Sequence, residues 1–238
     1  MIDLDVSILI QGPTKYSSEV IDSYRGIKNV LWCTWDDEPL EEIKVIEEAG
    51  IFVHLIKKPK YSGYWNVNFQ CKSTSEGLLK CKELFGSKYY LKIRSDFKIT
   101  NITLLCERFI LKEEKINFLG WADRPEGFFL DYIVFGDYEN MSKYWQYIDN
   151  ESNGYPCPEI FLMKRYFGES YSLIGNKKNY ISKFPLLDNI KFYWFSRGID
   201  LRDFSPELNF NYTEKKVYYY FKFKLKDIYI RIKKNVNL

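Results

Sequence analysis

Histidine is almost absent from this chain, and its cysteines do not form pairs. The 238 residues include one histidine, His54, and five cysteines. The cysteines are scattered and none lies in a C-x-x-C motif, which excludes the common spacings of zinc ligands. An odd number of scattered cysteines is typical of free thiols in a reducing compartment, so we expect a cytoplasmic protein without disulfides.

Long apolar runs are missing as well. No run approaches the roughly 20 apolar residues that span a bilayer. The acidic start, Met1–Asp5, leads directly into an apolar strand and lacks the basic and apolar regions of a signal peptide. The net charge of +3 is too small to indicate nucleic acid as a partner. We therefore expect neither a membrane span nor nucleic-acid binding.

No internal repeat and no linker interrupt the chain. A hydrophobic content of 46% is enough for one domain with a proper core. We predict a single domain over residues 1–216, with a nucleotide-binding half at 1–100 and an acceptor half at 101–216. Residues 217–238 form a separate basic and aromatic tail.

The first half alternates strands with helices. Apolar runs predict strands at Val6–Ile10, Asn29–Trp35, Ile51–Ile56 and Tyr89–Ile93, with helices at Ser17–Tyr24, from Pro39 to Gly50 and at 66–85. Such alternation indicates parallel pairing and a Rossmann-type α/β sheet with flanking helices. The regular alternation of strands and helices ends after residue 100. Beyond it we predict strands at 116–121 and 132–135 and a helix at 158–167. The second half therefore reads as irregular α+β.

The tripeptide Arg94-Ser95-Asp96 follows the fourth predicted strand. Open α/β sheets bind nucleotides at the carboxyl ends of their central strands. A carboxylate held there can ligate a divalent metal that bridges a diphosphate, and a guanidinium can bind phosphate directly. The structural alternative is an ion pair between Arg94 and Asp96, or a helix cap.

Two further groups of polar residues fall near the same predicted edge. Gln11 and Gly12 follow the first strand, where glycine allows close approach of a nucleotide and Gln11 can bond a base edge. A plain Gly-Pro turn is the alternative. Asn66, Asn68 and Gln70 stand at the start of the long helix, where capping by Asn66 and a solvated face are the alternatives.

Two acids in the second half are candidates for a general base. Asp131 precedes a predicted strand, and Glu159 stands one residue inside a predicted helix start. Either carboxylate can take a proton from an acceptor hydroxyl. For Glu159 the structural alternative is a favourable interaction with the helix dipole.

The tail, residues 217–238, combines apolar and basic residues at helical spacing. Its apolar positions are Phe221, Leu225, Ile228 and Ile232, and its basic positions are Lys222, Lys224, Lys226, Arg231, Lys233 and Lys234. This pattern is typical of an interfacial helix on anionic lipid, which gives a protein that is peripheral on the inner face of the cell membrane. A helix or strand packed on the domain is the alternative.

The motifs I-Q-G-P, C-T-W, N-x-N-x-Q and Y-x-L-K-I-R-S-D, in this order, resemble the WavE-type lipopolysaccharide-synthesis family of glycosyltransferases. The resemblance covers the first hundred residues and continues more loosely through Asp131-Tyr132 and Pro158-Glu159. It implies a GT-A-like fold, a nucleotide-sugar donor, and a glycan or lipid-linked acceptor at the cell surface. It also implies a hexosyltransferase whose donor-binding residues are Gln11, Gly12, Thr34, Asn68, Gln70 and Arg94.

In this resemblance Ser95-Asp96 takes the place of the metal-binding D-x-D motif of GT-A enzymes. Asp96 would then hold Mn²⁺ or Mg²⁺. The chain departs from the motif because Arg94 stands where the first aspartate is expected. Metal-independent action is the alternative, with Arg94 supplying the positive charge at the diphosphate.

Two other classes of protein remain open from the sequence. A nucleotidyltransferase on a similar sheet normally has a glycine-rich basic loop after the first strand, whereas Gln11 to Lys15 contains one glycine and one lysine. A non-catalytic scaffold that binds membranes through its tail predicts no nucleotide binding at all.

Overall fold

A computed structural model gives the chain a mixed α/β fold with flanking helices, which confirms the predicted fold class. The structure describes residues 5–112, 114–122, 128–148, 158–172, 190, 192–195 and 199–200. The strands are β1 (Val6–Gln11), β2 (Val30–Trp35), β3 (Phe52–Ile56), β4 (Tyr89–Arg94), β5 (Phe97–Ile99), β6 (Ile116–Ala122), β7 (Phe128–Asp137), β8 (Phe192–Trp194) and β9 (Ile199–Asp200). The α-helices are α1 (Ser17–Val20), α2 (Leu40–Glu48), α3 (Val67–Phe85), α4 (Ile102–Ile110), α5 (Tyr138–Tyr144) and α6 (Pro158–Phe167).

The main sheet has six strands in the order β3-β2-β1-β4-β7-β6, and β5, β8 and β9 form a second sheet. Strands β1 to β4 are parallel to one another, whereas β7 is antiparallel to both β4 and β6. The chain leaves β1 towards β2 and β3, then returns to β4 on the other side of β1. The strand order therefore reverses between β1 and β4, which is where open α/β sheets form a binding crevice.

Helices cover both faces of the main sheet. On one face, which we call the α4 face, apolar side chains of α4 pack with those of β1, β4 and β7: Ile102, Leu105, Phe109, Ile8, Ile10, Leu91, Ile93, Ile133 and Phe135. On the other, the α3 face, side chains of α3, α5 and α6 pack on the sheet: Val67, Cys71, Leu78, Cys81, Met141, Tyr144, Ile160, Leu162 and Met163. Each buried aliphatic side chain contributes about 1.5–3 kcal/mol to folding.

Helix α3 is placed by glycines at its middle and its end. A Cβ at Gly77 would lie 2.5 Å from the Leu9 side chain, so only glycine lets the helix sit this close to β1. Gly86 ends the helix with a left-handed φ of 62° and donates to the Lys82 carbonyl. Asn66 precedes the helix, but its side chain caps no backbone amide, so the capping alternative for Asn66 is wrong.

The main differences from the predicted elements lie in the second half. Helices α4 and α5 and strand β5 were not predicted, and β7 is much longer than the predicted 132–135 strand. Asp131 therefore lies inside β7 and does not precede it. In the first half, the predicted Ser17–Tyr24 helix is a four-residue α-helix followed by a 3₁₀ turn at Ile21–Ser23, and no side chain caps it.

The tail, residues 217–238, lies outside the described residues, as does Cys157. The other four cysteines are buried free thiols, as predicted. Among the residues that the structure describes, no helix combines the length and the apolar character needed to cross a membrane.

Candidate active site

The carboxyl ends of β1 and β4 meet at the point where the strand order reverses. Gln11 and Arg94 are direct partners in the parallel register, so their side chains leave the sheet on the same face. The Ser95 amide continues the ladder by donating to the Gln11 carbonyl at 2.9 Å. Gly12 has a φ of 129°, and a Cβ there would lie 2.6 Å from the Ser95 hydroxyl. Glycine is therefore required at this edge both for its backbone conformation and for space.

The backbone of the loop after β1 is already bound within the protein. The Gly12 amide donates to the Cys33 carbonyl at 3.3 Å, and the Gly12 carbonyl accepts from the Trp32 indole at 3.1 Å. The amide and hydroxyl of Thr14 both donate to the Glu38 carboxylate, at 3.0 and 2.7 Å. Gly12 can thus allow the close approach of a donor molecule, but its amide already donates to the Cys33 carbonyl.

Arg94 and Asp96 form a bidentate ion pair at this edge. Arg94 Nε donates to Asp96 Oδ1 at 2.9 Å and Arg94 Nη2 donates to Asp96 Oδ2 at 2.8 Å. The Asp96 side chain is 9% exposed and that of Arg94 is 28% exposed, so the pair opens to solvent on the arginine side. The ion-pair alternative is therefore realised, and Arg94 is the member of the pair that an incoming anion can reach.

Lys92 is a functional candidate that the sequence reasoning missed. It is fully buried in the middle of β4, where its Nζ donates to the Asp131 carbonyl at 2.8 Å. The same ammonium lies 4.3 Å from the centre of the Trp145 ring, a cation–π contact. Burial lowers the pKa of Lys92 to about 8, although the nearby Asp131 charge acts in the opposite direction. The available sequence signal was a lysine inside an otherwise apolar buried strand.

Asp131 lies where the ladder between β6 and β7 is irregular. The register shifts between Phe118 and Gly120 of β6, opposite the segment of β7 that contains Asp131. Such irregularities redirect side chains and are common beside active sites. Asp131 is 1% exposed, and its negative charge opposes the burial that lowers the pKa of Lys92. Burial also acts to lower the pKa of Arg94, but the hydrogen bonds and charge of Asp96, with a smaller contribution from Asp131, raise it. The predicted base is thus brought into electrostatic range of the Arg94–Asp96 pair.

Glu159 reaches the same region from α6. Burial raises the pKa of Tyr144 well above its usual value, and the charges of Asp131 and Glu159 raise it further. Both predicted catalytic acids thus act electrostatically on Tyr144, a fully buried residue of α5. The structure brings together Gln11, Gly12, Arg94 and Asp96 at one end of the sheet, and the Asp131 carbonyl accepts from Lys92 of the same strand as Arg94. The place of Glu159 in the site stays a prediction.

The other three predicted donor residues have different surroundings. Thr34 is fully buried at the end of β2, and its hydroxyl has no hydrogen-bond partner among the described residues. Asn68 is buried and donates its side-chain amide to the Tyr61 carbonyl at 3.2 Å, which holds the loop before α3. Gln70 follows on α3 with a buried Oε1 that accepts no hydrogen bond from any described residue. Their role in donor binding stays a prediction.

The residues at this edge fit a divalent metal poorly. Each carboxylate oxygen of Asp96 accepts a hydrogen bond from Arg94, so an ion at Asp96 would share that carboxylate with the guanidinium. In the part of the chain that the structure describes, no group of three or more His, Cys, Asp or Glu residues could hold a metal. Arg94 is the positive charge that the structure places beside Asp96 at this edge, and the role of Mn²⁺ or Mg²⁺ stays a prediction.

Comparison with known proteins gives similarity of fold only. No protein-family model and no curated protein matches the chain. Among solved structures, S. aureus TarS in complex with UDP-GlcNAc has a TM-score of 0.47 and 13% identity, over 68% of this chain and 53% of that chain. A cytidylyltransferase from Leptospira borgpetersenii has a TM-score of 0.42 and 11% identity, over 74% of each chain. Similarities of this size identify neither a family nor an activity.

Proposed function

We propose that the chain is a glycosyltransferase that moves a sugar from a nucleotide-sugar donor to a cell-surface glycan or lipid-linked acceptor. The observation that carries this proposal is the partly exposed Arg94, paired with the buried Asp96, at the reversal point between β1 and β4. A negatively charged ligand in the crevice of such a sheet meets a guanidinium there. The WavE-type motifs support the same reaction and the same residues.

The leaving group in such a transfer is a nucleoside diphosphate. The bond between the anomeric carbon of the sugar and the diphosphate oxygen breaks, and its electron pair stays on that oxygen. Positive charge nearby stabilises the oxygen. Arg94 is the candidate for this role because its side chain is 28% exposed, whereas that of its partner Asp96 is buried. Asp96 positions the guanidinium by two parallel hydrogen bonds, and Gln11 lies beside it on the same face.

If the reaction inverts the anomeric carbon, one carboxylate takes the proton of the accepting hydroxyl as the new bond forms. Asp131 is our first candidate, because it is buried and its carbonyl accepts from Lys92, two residues before Arg94 on β4. Glu159, which acts on Tyr144, is the second. If the reaction retains the configuration, no such base is required, and both acids would bind the acceptor.

The acceptor proposal includes the membrane surface. The tail pattern supports binding to anionic lipid, with each basic residue contributing about 1 kcal/mol near such a surface. Full-length protein should sediment with anionic liposomes, less so at high salt, and a chain ending at Lys216 should not. If the shorter chain unfolds, or if both chains sediment equally, the tail is not a peripheral membrane anchor.

The experiment that tests the proposed reaction is a thermal-shift panel of nucleotide sugars, nucleoside triphosphates and sugar phosphates, with and without Mn²⁺. A ligand that binds the folded state raises its stability with the logarithm of the ligand excess. We expect a nucleotide sugar to give the largest shift and to release nucleoside diphosphate on turnover.

The same panel separates the two rival functions. A nucleotidyltransferase would respond to a triphosphate and a sugar phosphate and release pyrophosphate. A scaffold without catalytic activity would respond to no nucleotide, which would overturn the proposed function.

A further inference from the structure

Strand β3 is an edge strand without a neighbour on its outer side. It stands at one end of the six-stranded sheet, and no described residue pairs with it there. The Ile56 carbonyl accepts from the Asp36 amide at 3.0 Å, so the even-numbered residues of β3 turn their amides and carbonyls towards β2. Those of Val53 and Leu55 therefore point away from the sheet, and they form no hydrogen bond with any described residue.

This strand also lacks the features that usually protect the edge of a sheet. Natural edge strands carry charged residues, proline or a bulge, or are covered by a helix or loop. The segment Phe52–Ile56 contains no proline, lysine, arginine, aspartate or glutamate, and its register with β2 runs without a bulge. Phe52 and Leu55 are 54% and 42% exposed, so the described residues leave them largely uncovered. A regular, apolar and uncovered edge is a template for another strand.

The helices beside β3 carry exposed apolar side chains as well. Both α2 and α3 contact β3, the first on the α4 face of the sheet and the second on the α3 face. Nine large apolar side chains are exposed among the described residues, and six of them lie on α2, β3 and α3: Leu40, Val45, Phe52, Leu55, Leu79 and Leu84. Such a concentration around one edge is typical of a protein interface.

Charges at the two ends of β3 favour pairing with a second copy of this chain in the antiparallel direction. Lys57 and Lys60 follow the strand, whereas Glu47 and Glu48 stand at the end of α2, just before it, and all four are exposed. In an antiparallel pair the basic end of each strand meets the acidic end of the other, while a parallel pair would bring like charges together. The carboxyl end of α2 adds negative partial charge to the acidic end. The chain is therefore complementary to itself about a two-fold axis.

We propose that two copies of the chain pair through their β3 strands, antiparallel, about a two-fold axis at His54. In this register Val53 of each copy lies opposite Leu55 of the other, and each such pair exchanges two hydrogen bonds through the outward amides and carbonyls. The two main sheets then form one continuous sheet. Because β3 is separated from β4 by β2 and β1, the interface leaves the Arg94–Asp96 edge free, and the inference does not rest on the proposed function.

Analytical ultracentrifugation of the full chain, over a concentration series into the millimolar range, tests the pairing. We expect a reversible equilibrium between monomer and dimer that high salt weakens, because salt screens the exposed lysine and glutamate charges. Leu55→Lys places a charge on the edge strand and should weaken dimerisation at least about tenfold. The fold should persist, since this side chain is already 42% exposed, and circular dichroism checks it.

Ile148→Lys is the matched control for Leu55→Lys. Ile148 is 51% exposed, but it follows α5, which contacts β4 and β7 and so lies on the other side of the sheet from β3. This variant should dimerise like the wild type. A wild type that stays monomeric at every concentration would overturn the proposal. Equal dimerisation by the two lysine variants would overturn it too, because the contact would then lie elsewhere.

Cysteine cross-linking tests the register of the pair. In an antiparallel pair centred on His54, the two Cα atoms at this position lie about 4.5 Å apart, a distance that a disulfide can span. The two Cα atoms at position 52 lie about 14 Å apart along the strands, because Phe52 faces Ile56 of the other copy. Mild oxidation should therefore cross-link His54→Cys but not Phe52→Cys.

The wild type, oxidised in the same way, gives the baseline, since its four described cysteines are buried. Cross-linked dimers are counted on a non-reducing gel at a protein concentration at which the wild type is dimeric. Cross-linking above this baseline in His54→Cys alone would support the two-fold axis at His54. Cross-linking of Phe52→Cys in its place, or of neither variant, would overturn the proposed pairing.

Discussion

The two faces of the main sheet differ in what they bury. Neighbouring residues of β4 show the contrast, since Leu91 packs into the apolar cluster of the α4 face while Lys92 is buried at full depth on the α3 face. The α4 face is filled mainly with aliphatic and aromatic side chains, including the parallel stack of Phe109 on Phe135 at 5.0 Å. The α3 face encloses a lysine, an aspartate and several unpartnered polar atoms.

This difference separates stability from function within one sheet. Apolar burial on the α4 face stabilises the folded state. Each unsatisfied polar atom on the α3 face lowers the free energy of unfolding. Sequences depart from good packing mainly at functional sites, so the costly face is the one on which we place the chemistry. Truncating apolar side chains on the α4 face should therefore lower stability but not turnover. Replacing the candidate catalytic acids should lower turnover.

The largest effect is expected from the two acids on the α3 side. Asp131→Asn should lower turnover by about 10²–10⁴-fold while donor binding is retained, because the base acts only in the chemical step. Glu159→Gln is the parallel test of the second candidate. The measurement is kcat at saturating acceptor beside a donor dissociation constant. Normal turnover by both variants would show that neither acid is the base. A product whose anomeric configuration is retained, as observed by NMR, would also argue against a catalytic base.

Asp96→Asn is expected to have the next largest effect. Loss of the carboxylate frees the Arg94 guanidinium from its fixed position. Because a positioned charge stabiliser lowers the barrier by about 2.7–4 kcal/mol, a part of that amount should be lost. Asp22→Asn is the matched control, since Asp22 forms an ion pair of the same length, 2.8 Å, with Arg25 on the exposed surface. The control should change neither turnover nor stability measurably. Unchanged turnover in folded Asp96→Asn would remove the pair from the site.

Leu91→Ala tests the α4 face. Truncating this fully buried leucine should lower the free energy of unfolding by about 3 kcal/mol through lost burial and a cavity. Turnover per folded molecule should be unchanged, because the side chain points away from the α3 face. Denaturant unfolding and an activity assay at low temperature measure the two quantities. A large loss of specific activity would show that the faces are not functionally separate.

Lys92→Met is expected to change stability by an amount that depends on pH. The pKa of Lys92 in the folded protein is about 8, below the ordinary value of 10.5. Between these values the unfolded chain binds more protons than the folded one, so wild-type stability rises with pH. Below about pH 8 both states are protonated and the burial penalty is complete.

The stability advantage of the methionine variant should therefore be largest below pH 8. It should shrink above that pH by up to about 1.4 kcal/mol per unit. Taking the difference between the two proteins removes the titration of the buried cysteines and tyrosines, which they share. A difference that does not change with pH would contradict the account of Lys92 as a buried ammonium.

Much of the first half could be predicted from sequence because its signals are local. The long helix was placed to within one residue by its polar start and by Gly86, and the four parallel strands followed from short apolar runs bounded by turns. Helix α4 was missed although its signals were present, since Asn101 caps it and Ile102, Leu105, Cys106 and Phe109 recur at helical spacing.

The site was only partly predictable, for a physical reason. Arg94, Asp96 and Gln11 meet because parallel strands end together, which a sequence pattern can indicate. The burial of Lys92 and the position of Asp131 depend on an antiparallel partner, β7, that pairs with β4 only after some forty intervening residues of chain. No local pattern encodes such a long-range pairing, so Asp131 was expected before a strand and not inside one.

The most direct test of the central claim is a calorimetric titration of Arg94→Lys and the wild type. The ligand is the nucleotide sugar that gives the largest thermal shift, and each titration is run with a chelator and with Mn²⁺. The account predicts that the wild type binds in the presence of chelator and that Arg94→Lys binds at least about tenfold more weakly, because a point charge does not replace a bidentate guanidinium. Equal affinities of the two proteins, or wild-type binding that appears only with Mn²⁺, would contradict it.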